Sequence, residues 1–144
     1  MSQNRSISAA RTPALAAHLL GLIDFEACLA LQHRLVYEAA GSADGQITLL
    51  LCEHPLALTI GRLGSRGHLR ARGGELASRE LQPRWVNRGG GCLVHAPGQL
   101  AIYPMVPLEW HGLTVGDYLN RLQSGLAAAL ADMGFSTSNR PDRY

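Results

Sequence analysis

The chain has 144 residues, 47% apolar and 17% charged, with a formal charge of +2. Such a length fits one globular domain that buries about two thirds of its unfolded surface, and no uninterrupted apolar run reaches the roughly 18 residues of a membrane span. All 13 basic residues are arginine, so a mechanism that needs a lysine amine cannot be completed by these residues alone.

The opening "MSQNRSISAART" is polar and has no apolar h-region, which argues against a secretory leader. Residues 1–20 are expected to form a poorly ordered extension, and residues 21–144 a single folded domain. "IDFEACLALQHRLVYEAAG" reads as a helix with Asp24 as N-cap. Phe25, Cys28, Leu29, Gln32, Leu35 and Val36 share one face, and Gly41 ends it. "GQITLLLCEH" then gives a strand over residues 47–52, apolar enough to be buried on both faces. His54-Pro55 breaks it, and "LALTIG" resumes an extended run to Gly61.

Residues 62–83 are polar and punctuated by glycine, the pattern of an irregular loop. Seven arginines fall between Arg62 and Arg88 against only Glu75 and Glu80, a patch that either steers an acidic partner or is plain solvated surface. Few aromatics lie among them to stack on bases, so no nucleic-acid partner is expected. "RWVNR" is a short strand and "QLAIYPMVPL" another, closed by its prolines. The last helix has a full start signal: Thr114 as N-cap, Asp117 at N3, and Leu113 and Tyr118 as the staple. Val115, Tyr118, Leu119, Leu122, Leu126 and Leu130 form its stripe, and Gly134 is the expected C′ residue. Helix, strands, loop, strands, helix is the order of a mixed α/β (α+β) domain, a mixed sheet with flanking helices.

Cys28, Cys52 and Cys92 show no zinc-ligand spacing and fit reduced thiols, with Cys28 and Cys52 as small buried hydrophobes. The stretch "RGGGCLVHAPGQLAIYP", residues 88–104, carries more chemistry. Three glycines after Arg88 let a carbonyl, carboxylate or phosphate approach the backbone, or else simply bend the chain between two strands. Neither a Walker loop nor a dinucleotide fingerprint is present. His95 is either a satisfied structural histidine or a pocket-facing one. Cys92, three residues before it, falls on the opposite face of an extended segment, which argues against a Cys92–His95 nucleophile pair.

This stretch resembles the signature of the octanoyltransferases of lipoate biosynthesis, the lipoate-protein ligase B family, where Arg-Gly-Gly leads into Tyr-His-Gly-Pro-Gly-Gln. "CEHPLALTIGR", residues 52–62, resembles the same family's Glu-His-Pro element, and the first and last helices fall in the expected order. The resemblance covers residue 21 onward and implies a biotin/lipoate protein ligase-like (class II synthetase-like) core. It also implies an acyltransferase that moves octanoyl from acyl carrier protein to a lysine of lipoyl domains, those of 2-oxoacid dehydrogenases or the glycine cleavage H protein. No cofactor, metal or membrane is implied, and the location implied is the cytoplasm. Ligases of the same fold use ATP and a lysine, so the transferase is favoured in a chain without lysine.

By resemblance the substrate-binding residues are Arg88, Gly89, Gly90, Gly91, Cys92, Leu93, Val94 and His95. The family pattern has Gly where this chain has Ala96, and an aromatic where it has Val94. It also continues past "NRPDRY" into Pro-Gly-Val, a lysine that lowers the pKa of a nucleophilic cysteine, and that cysteine. This sequence stops at Tyr144, so the chain is expected to be C-terminally truncated and to carry the substrate-binding half, with no catalytic residue of its own. An interrupted gene is the favoured explanation; half of a split enzyme, or a non-catalytic binder of acyl carrier protein or lipoyl domains, are the others.

Overall fold

A computed structural model of the chain describes residues 14–42, 44–65 and 82–137. In chain order they form β1 (Leu15–Leu22), α1 (Phe25–Ala40), β2 (Ile47–Glu53), β3 (Ala57–Ile60), β4 (Arg84–Trp85), β5 (Cys92–His95), β6 (Ala101–Met105) and α2 (Val115–Asp132). The glycine-punctuated loop and four of the seven clustered arginines lie largely or wholly outside the described residues.

The strands make two three-stranded mixed sheets, ordered β1-β2-β6 and β4-β3-β5. β1 and β2 run parallel, which requires a crossover, and α1 supplies it. β6 returns antiparallel to β2, pairing Leu50 with Tyr103 and Cys52 with Ala101. In the second sheet β3 pairs parallel with β4 and antiparallel with β5. The α/β expectation stands.

The expectation of a poorly ordered extension over residues 1–20 needs correction from Leu15 onward, and residues 1–13 lie outside the described residues. Leu15–Leu22 is a strand in register with β2 from Leu15↔Ile47 to Leu22↔Glu53, with an irregularity between Leu19 and Gly21. "LAAHLLGL" has no clean alternation, and only the distant β2 supplies its hydrogen-bond partners. β2 was expected to be buried on both faces; Leu50 and Cys52 are buried while Thr48, Leu49 and Leu51 are half-buried. The strand read in "RWVNR" shortens to Arg84–Trp85.

α1 starts where its cap predicts. The Asp24 carboxylate accepts from the amides of Glu26 (2.9 Å) and Ala27 (3.1 Å), and Gly41 is the C-cap. Its inner face meets the first sheet around a core of Cys28, Leu50 and Cys52, flanked by Leu31, Leu35, Tyr103 and Met105. α2 also begins as read: Thr114 and Asp117 form a reciprocal capping box, and Gly134 follows the helix with φ of +87°. None of its residues is buried. Among the described residues no helix is long and apolar enough to cross a membrane.

Candidate active site

The β3–β5 ladder fixes where the predicted site residues point. Ala57 faces His95, Thr59 faces Leu93 and Ile60 faces Cys92. Alternation puts Leu93 and His95 on one side and Cys92 and Val94 on the other. Leu93 and His95, with Arg88, line a groove of about 1170 Å³ between α1, β6 and the strand ends. Cys92 points instead to the carbonyl of Ser65, at 3.5 Å, and Val94 is exposed. As pocket-lining residues, Cys92 and Val94 are therefore displaced by the pleat of their own strand. The same alternation carries the expectation that Cys92 faces away from His95.

The groove has an apolar wall and a polar corner. Phe25, Leu29 and Val36 come from α1, and Leu100, Ile102 and Met105 from the β6 side. At the corner His95 is 7% exposed, with its ring 5.2 Å from Phe25 and 5.4 Å from His54. Burial holds its pKa below the usual histidine value, and the nearby His54 and Arg88 push the same way, so the imidazole is neutral at pH 7. Its Nε2 lies 3.3 Å from Thr59 Oγ1, which is 3.4 Å from the Leu93 carbonyl. The hydroxyl proton goes to Leu93 when Nε2 carries a proton and to Nε2 when it does not. Both tautomers are accommodated without moving a heavy atom.

Arg88 was expected among the substrate-binding residues; it lines the groove, and most of its donors turn back into the protein. Nη1 donates to the Gly89 carbonyl (2.8 Å), and Nη2 to Thr59 Oγ1 (3.0 Å) and the Gly91 carbonyl (3.0 Å). Arg88 thus clamps the glycine loop to β3. Its Nε is buried with no partner among the described residues, a cost of about 1–3 kcal/mol that the clamp has to offset.

The glycine loop is held from a second side. The amides of Gly61, Arg62 and Leu63 donate to the carbonyls of Gly91 (2.9 Å), Arg88 (2.9 Å) and Gly90 (3.0 Å). Gly90 has φ of +75°, a left-handed conformation that a β-carbon opposes. Among the described residues the amides of Gly89, Gly90 and Gly91 donate no backbone–backbone hydrogen bond in this loop. A Cβ at Gly89 or Gly91 would have nothing within 4 Å, so the space beside both is open.

Sequence reasoning missed His54, Thr59 and Tyr103. His54 is 1% exposed; its Nδ1 donates to the Ile23 carbonyl (2.8 Å), which leaves Nε2 to accept from the Tyr103 hydroxyl (2.8 Å). It ties the start of α1, the end of β2 and β6 together beneath the groove. The His-Pro pair was visible as a break; its ligation is a product of tertiary pairing alone. Glu53 adds a tie on the other flank, accepting from the amide of Gly98 at 2.6 Å.

Two further arginines of the cluster, Arg62 and Arg84, are engaged as well. Arg62 donates to Asn87 Oδ1 at 3.0 Å, and Arg84 pairs with Glu26 of α1.

A family model described as the lipoyl protein ligase A/B catalytic domain matches residues 24–144. The chain is 38% identical over 122 residues to an octanoyltransferase of Chloroflexus aggregans, covering 85% of this chain and 55% of that protein. An octanoyltransferase of Syntrophotalea carbinolica is 42% identical over 116 residues, covering 80% and 51%. One of Geobacter metallireducens is 39% identical over 126 residues, covering 86% and 54%. Among solved structures, a lipoate-protein ligase A bound with ATP superposes with a TM-score of 0.58 at 11% identity, over 90% of this chain and 51% of that one. At that identity the likeness shows the fold, the ligase-type core expected above. The chain spans about half the length of the curated relatives it matches.

Proposed function

The chain belongs to the lipoyl protein ligase A/B catalytic-domain family, and from that premise we propose that it forms the substrate-binding half of an octanoyltransferase. One observation carries the reading: an apolar groove is lined by Arg88, Leu93 and His95, which bracket a glycine loop whose carbonyls are occupied and which has open space beside Gly89 and Gly91. An octanoyl chain lies along Phe25, Leu29, Val36 and Ile102. Burying about seven of its carbons stabilises the complex by roughly 5 kcal/mol at about 0.8 kcal/mol each. The acyl carbonyl sits against the loop amides near residues 89–91, beside neutral His95.

The donor is octanoyl-acyl carrier protein, an acidic partner for the arginines between residues 62 and 88. The acceptor is the lysine of a lipoyl domain, of a 2-oxoacid dehydrogenase or the glycine cleavage H protein. The three free thiols suit a reducing cytoplasm. Binding is expected to weaken as salt rises, because an arginine patch attracts through screened charge.

The chain's own thiols are poor nucleophiles. Cys28 and Cys52 are buried, and burial, with Cys28 beside it, pushes the Cys52 thiol up to about 12. Cys92 turns away from the groove, and no lysine is present to activate any of them. The activating lysine and nucleophilic cysteine therefore come from further polypeptide, continuous with this chain or separate. Incubation of the 144-residue protein with octanoyl-acyl carrier protein is expected to give binding and no octanoyl adduct by intact mass. Adding a polypeptide that carries the lysine and cysteine restores transfer. A gain of one octanoyl group, lost in Cys92→Ser, would make Cys92 the nucleophile and overturn this division of labour.

A further inference from the structure

Beneath the groove, two cysteines and a histidine converge on one point that the acyl-transfer reading does not use. Cys28 comes from the first turn of α1, Cys52 from β2, and His54 from the segment after β2. Their Sγ, Sγ and Nε2 atoms all lie within 4.8 Å of one another. We propose that Cys28, Cys52 and His54 form a binding site for a thiophilic divalent cation of the zinc class.

Two of the three separations are close to those a tetrahedral ion requires, and the third lies within 4.8 Å. With metal–sulfur bonds near 2.3 Å and metal–nitrogen bonds near 2.0 Å, two sulfur ligands stand about 3.8 Å apart, and sulfur and nitrogen about 3.5 Å. The two Sγ atoms are 3.9 Å apart, and Cys52 Sγ is 3.6 Å from His54 Nε2. The cluster therefore needs little rearrangement around those two edges.

The histidine is prepared in the way a ligand histidine is. A metal-bound imidazole almost always gives its other N–H to a carbonyl or carboxylate, which fixes tautomer and ring orientation. His54 Nδ1 is 2.8 Å from the Ile23 carbonyl, so the proton sits there and the Nε2 lone pair faces the sulfurs. That lone pair now accepts from the Tyr103 hydroxyl at 2.8 Å. A metal takes the lone pair and releases the hydroxyl. Tyr103 and Gln32 both line the groove, and the Gln32 amide donates to Cys28 Sγ at 3.4 Å. Swinging Gln32 aside opens a path from the groove to the first thiolate.

Charge also fits the location. Two thiolates, a neutral imidazole and a divalent cation sum to zero, so the loaded site buries no net charge. Soft sulfur ligands with imidazole select zinc-class ions over the oxygen-seeking Mg²⁺ and Ca²⁺. Binding releases the two thiol protons as the metal takes the thiolates. The proposal stands independently of the acyl-transfer reading, since it asks nothing of the glycine loop.

Cobalt is the probe that reads sulfur ligation directly. The reduced full chain, titrated anaerobically with Co²⁺, is expected to take up one equivalent. Near-ultraviolet thiolate-to-cobalt charge-transfer bands and the visible bands of a tetrahedral ion should appear together, and Zn²⁺ should then abolish both. Cys28→Ser and Cys52→Ser lose the charge-transfer bands wholly or in large part, while Cys92→Ser keeps them. Wild-type protein needs no variant to fail the test. If thiol counting confirms three reduced cysteines and no cobalt–thiolate band develops, the site does not exist. Bands that vanish in Cys92→Ser and persist in Cys52→Ser would also sink it. So would formation of a Cys28–Cys52 disulfide, on mild oxidation, by reduced protein that takes up no cobalt.

Discussion

α1 and α2 are built from equally good local instructions and end up in opposite circumstances. Both have capped N-termini and a glycine at the far end, and α2 is the longer, at 18 residues against 16. α1 buries Phe25 and Cys28 against a sheet; α2 leaves Val115 63% and Leu126 43% exposed. A cap and a periodic stripe decide that a helix forms, while burial depends on whether another element meets the stripe. The folded core and the candidate site therefore belong to the α1 side. The apolar face of α2 has no partner of that kind among the described residues.

Truncation on the two helices gives the widest contrast. Phe25 touches both His54 and His95, so Phe25→Ala is expected to cost about 3–5 kcal/mol and weaken octanoyl-acyl carrier protein binding. Leu126→Ala is expected to cost less than about 0.5 kcal/mol. Denaturant midpoints that fall equally in the two variants would show that α2 is packed after all.

Within the α1 side the comparison sharpens at the glycine loop. Gly90→Val forces a β-branched residue to positive φ and should cost about 1–3 kcal/mol. Gly91→Ala meets no atom within 4 Å, so stability should hold while octanoyl-acyl carrier protein affinity drops. Unchanged affinity in Gly91→Ala, measured by titration calorimetry, would remove the loop amides from the site.

The caps test how much α2 depends on its own turn. Asp24→Ala and Thr114→Ala each remove a first-turn acceptor and should cost about 1 kcal/mol. In α1 the loss should appear as lower global stability. In α2, where packing contributes little, it should appear as faster amide exchange confined to the first turns.

Acid separates the two regions most finely. His95 has a folded pKa lowered from the usual 6.5, chiefly by burial. The stability it protects is complete above that value and declines as pH falls through the lowered one. Asp24 is lowered from 3.8 chiefly by the Ala27 amide, and Asp117 from 3.8 chiefly by the Thr114 hydroxyl. Stability linked to these carboxylates persists above 3.8 and declines only in stronger acid. Near-ultraviolet dichroism should therefore respond first around His95, and His95→Gln should flatten that early phase. An early phase that survives in His95→Gln would assign it to another group.

The same contrast explains what could be read in advance. Asp24, Thr114, Asp117 and Gly134 declare themselves within a few residues, because a cap is a local device. Cys92 and His95 could be separated by counting, because a pleat has period two. β1 was lost because its reason for being a strand lies in Ile47–Glu53, across the whole of α1. Thr59, His54 and Tyr103 were lost likewise: each is a common residue whose role comes from what another strand brings beside it. Arg88 was found, and it lines the groove, but its clamping role was not legible. The sequence shows a cation before three glycines and does not show that β3 offers it acceptors.

Gly61 carries one more consequence. A β-carbon there would stand 2.6 Å from the Gly90 carbonyl and 2.8 Å from that of Gly89. The curve of the glycine loop is thus moulded by the residue that follows β3, and no amount of editing within residues 88–91 can reshape it freely. Transplanting the "RGGG" tetrapeptide into another scaffold would carry the letters without the contour. An engineer seeking to retune the groove for a longer or shorter acyl chain would have to treat positions 61 and 90 as a single design variable.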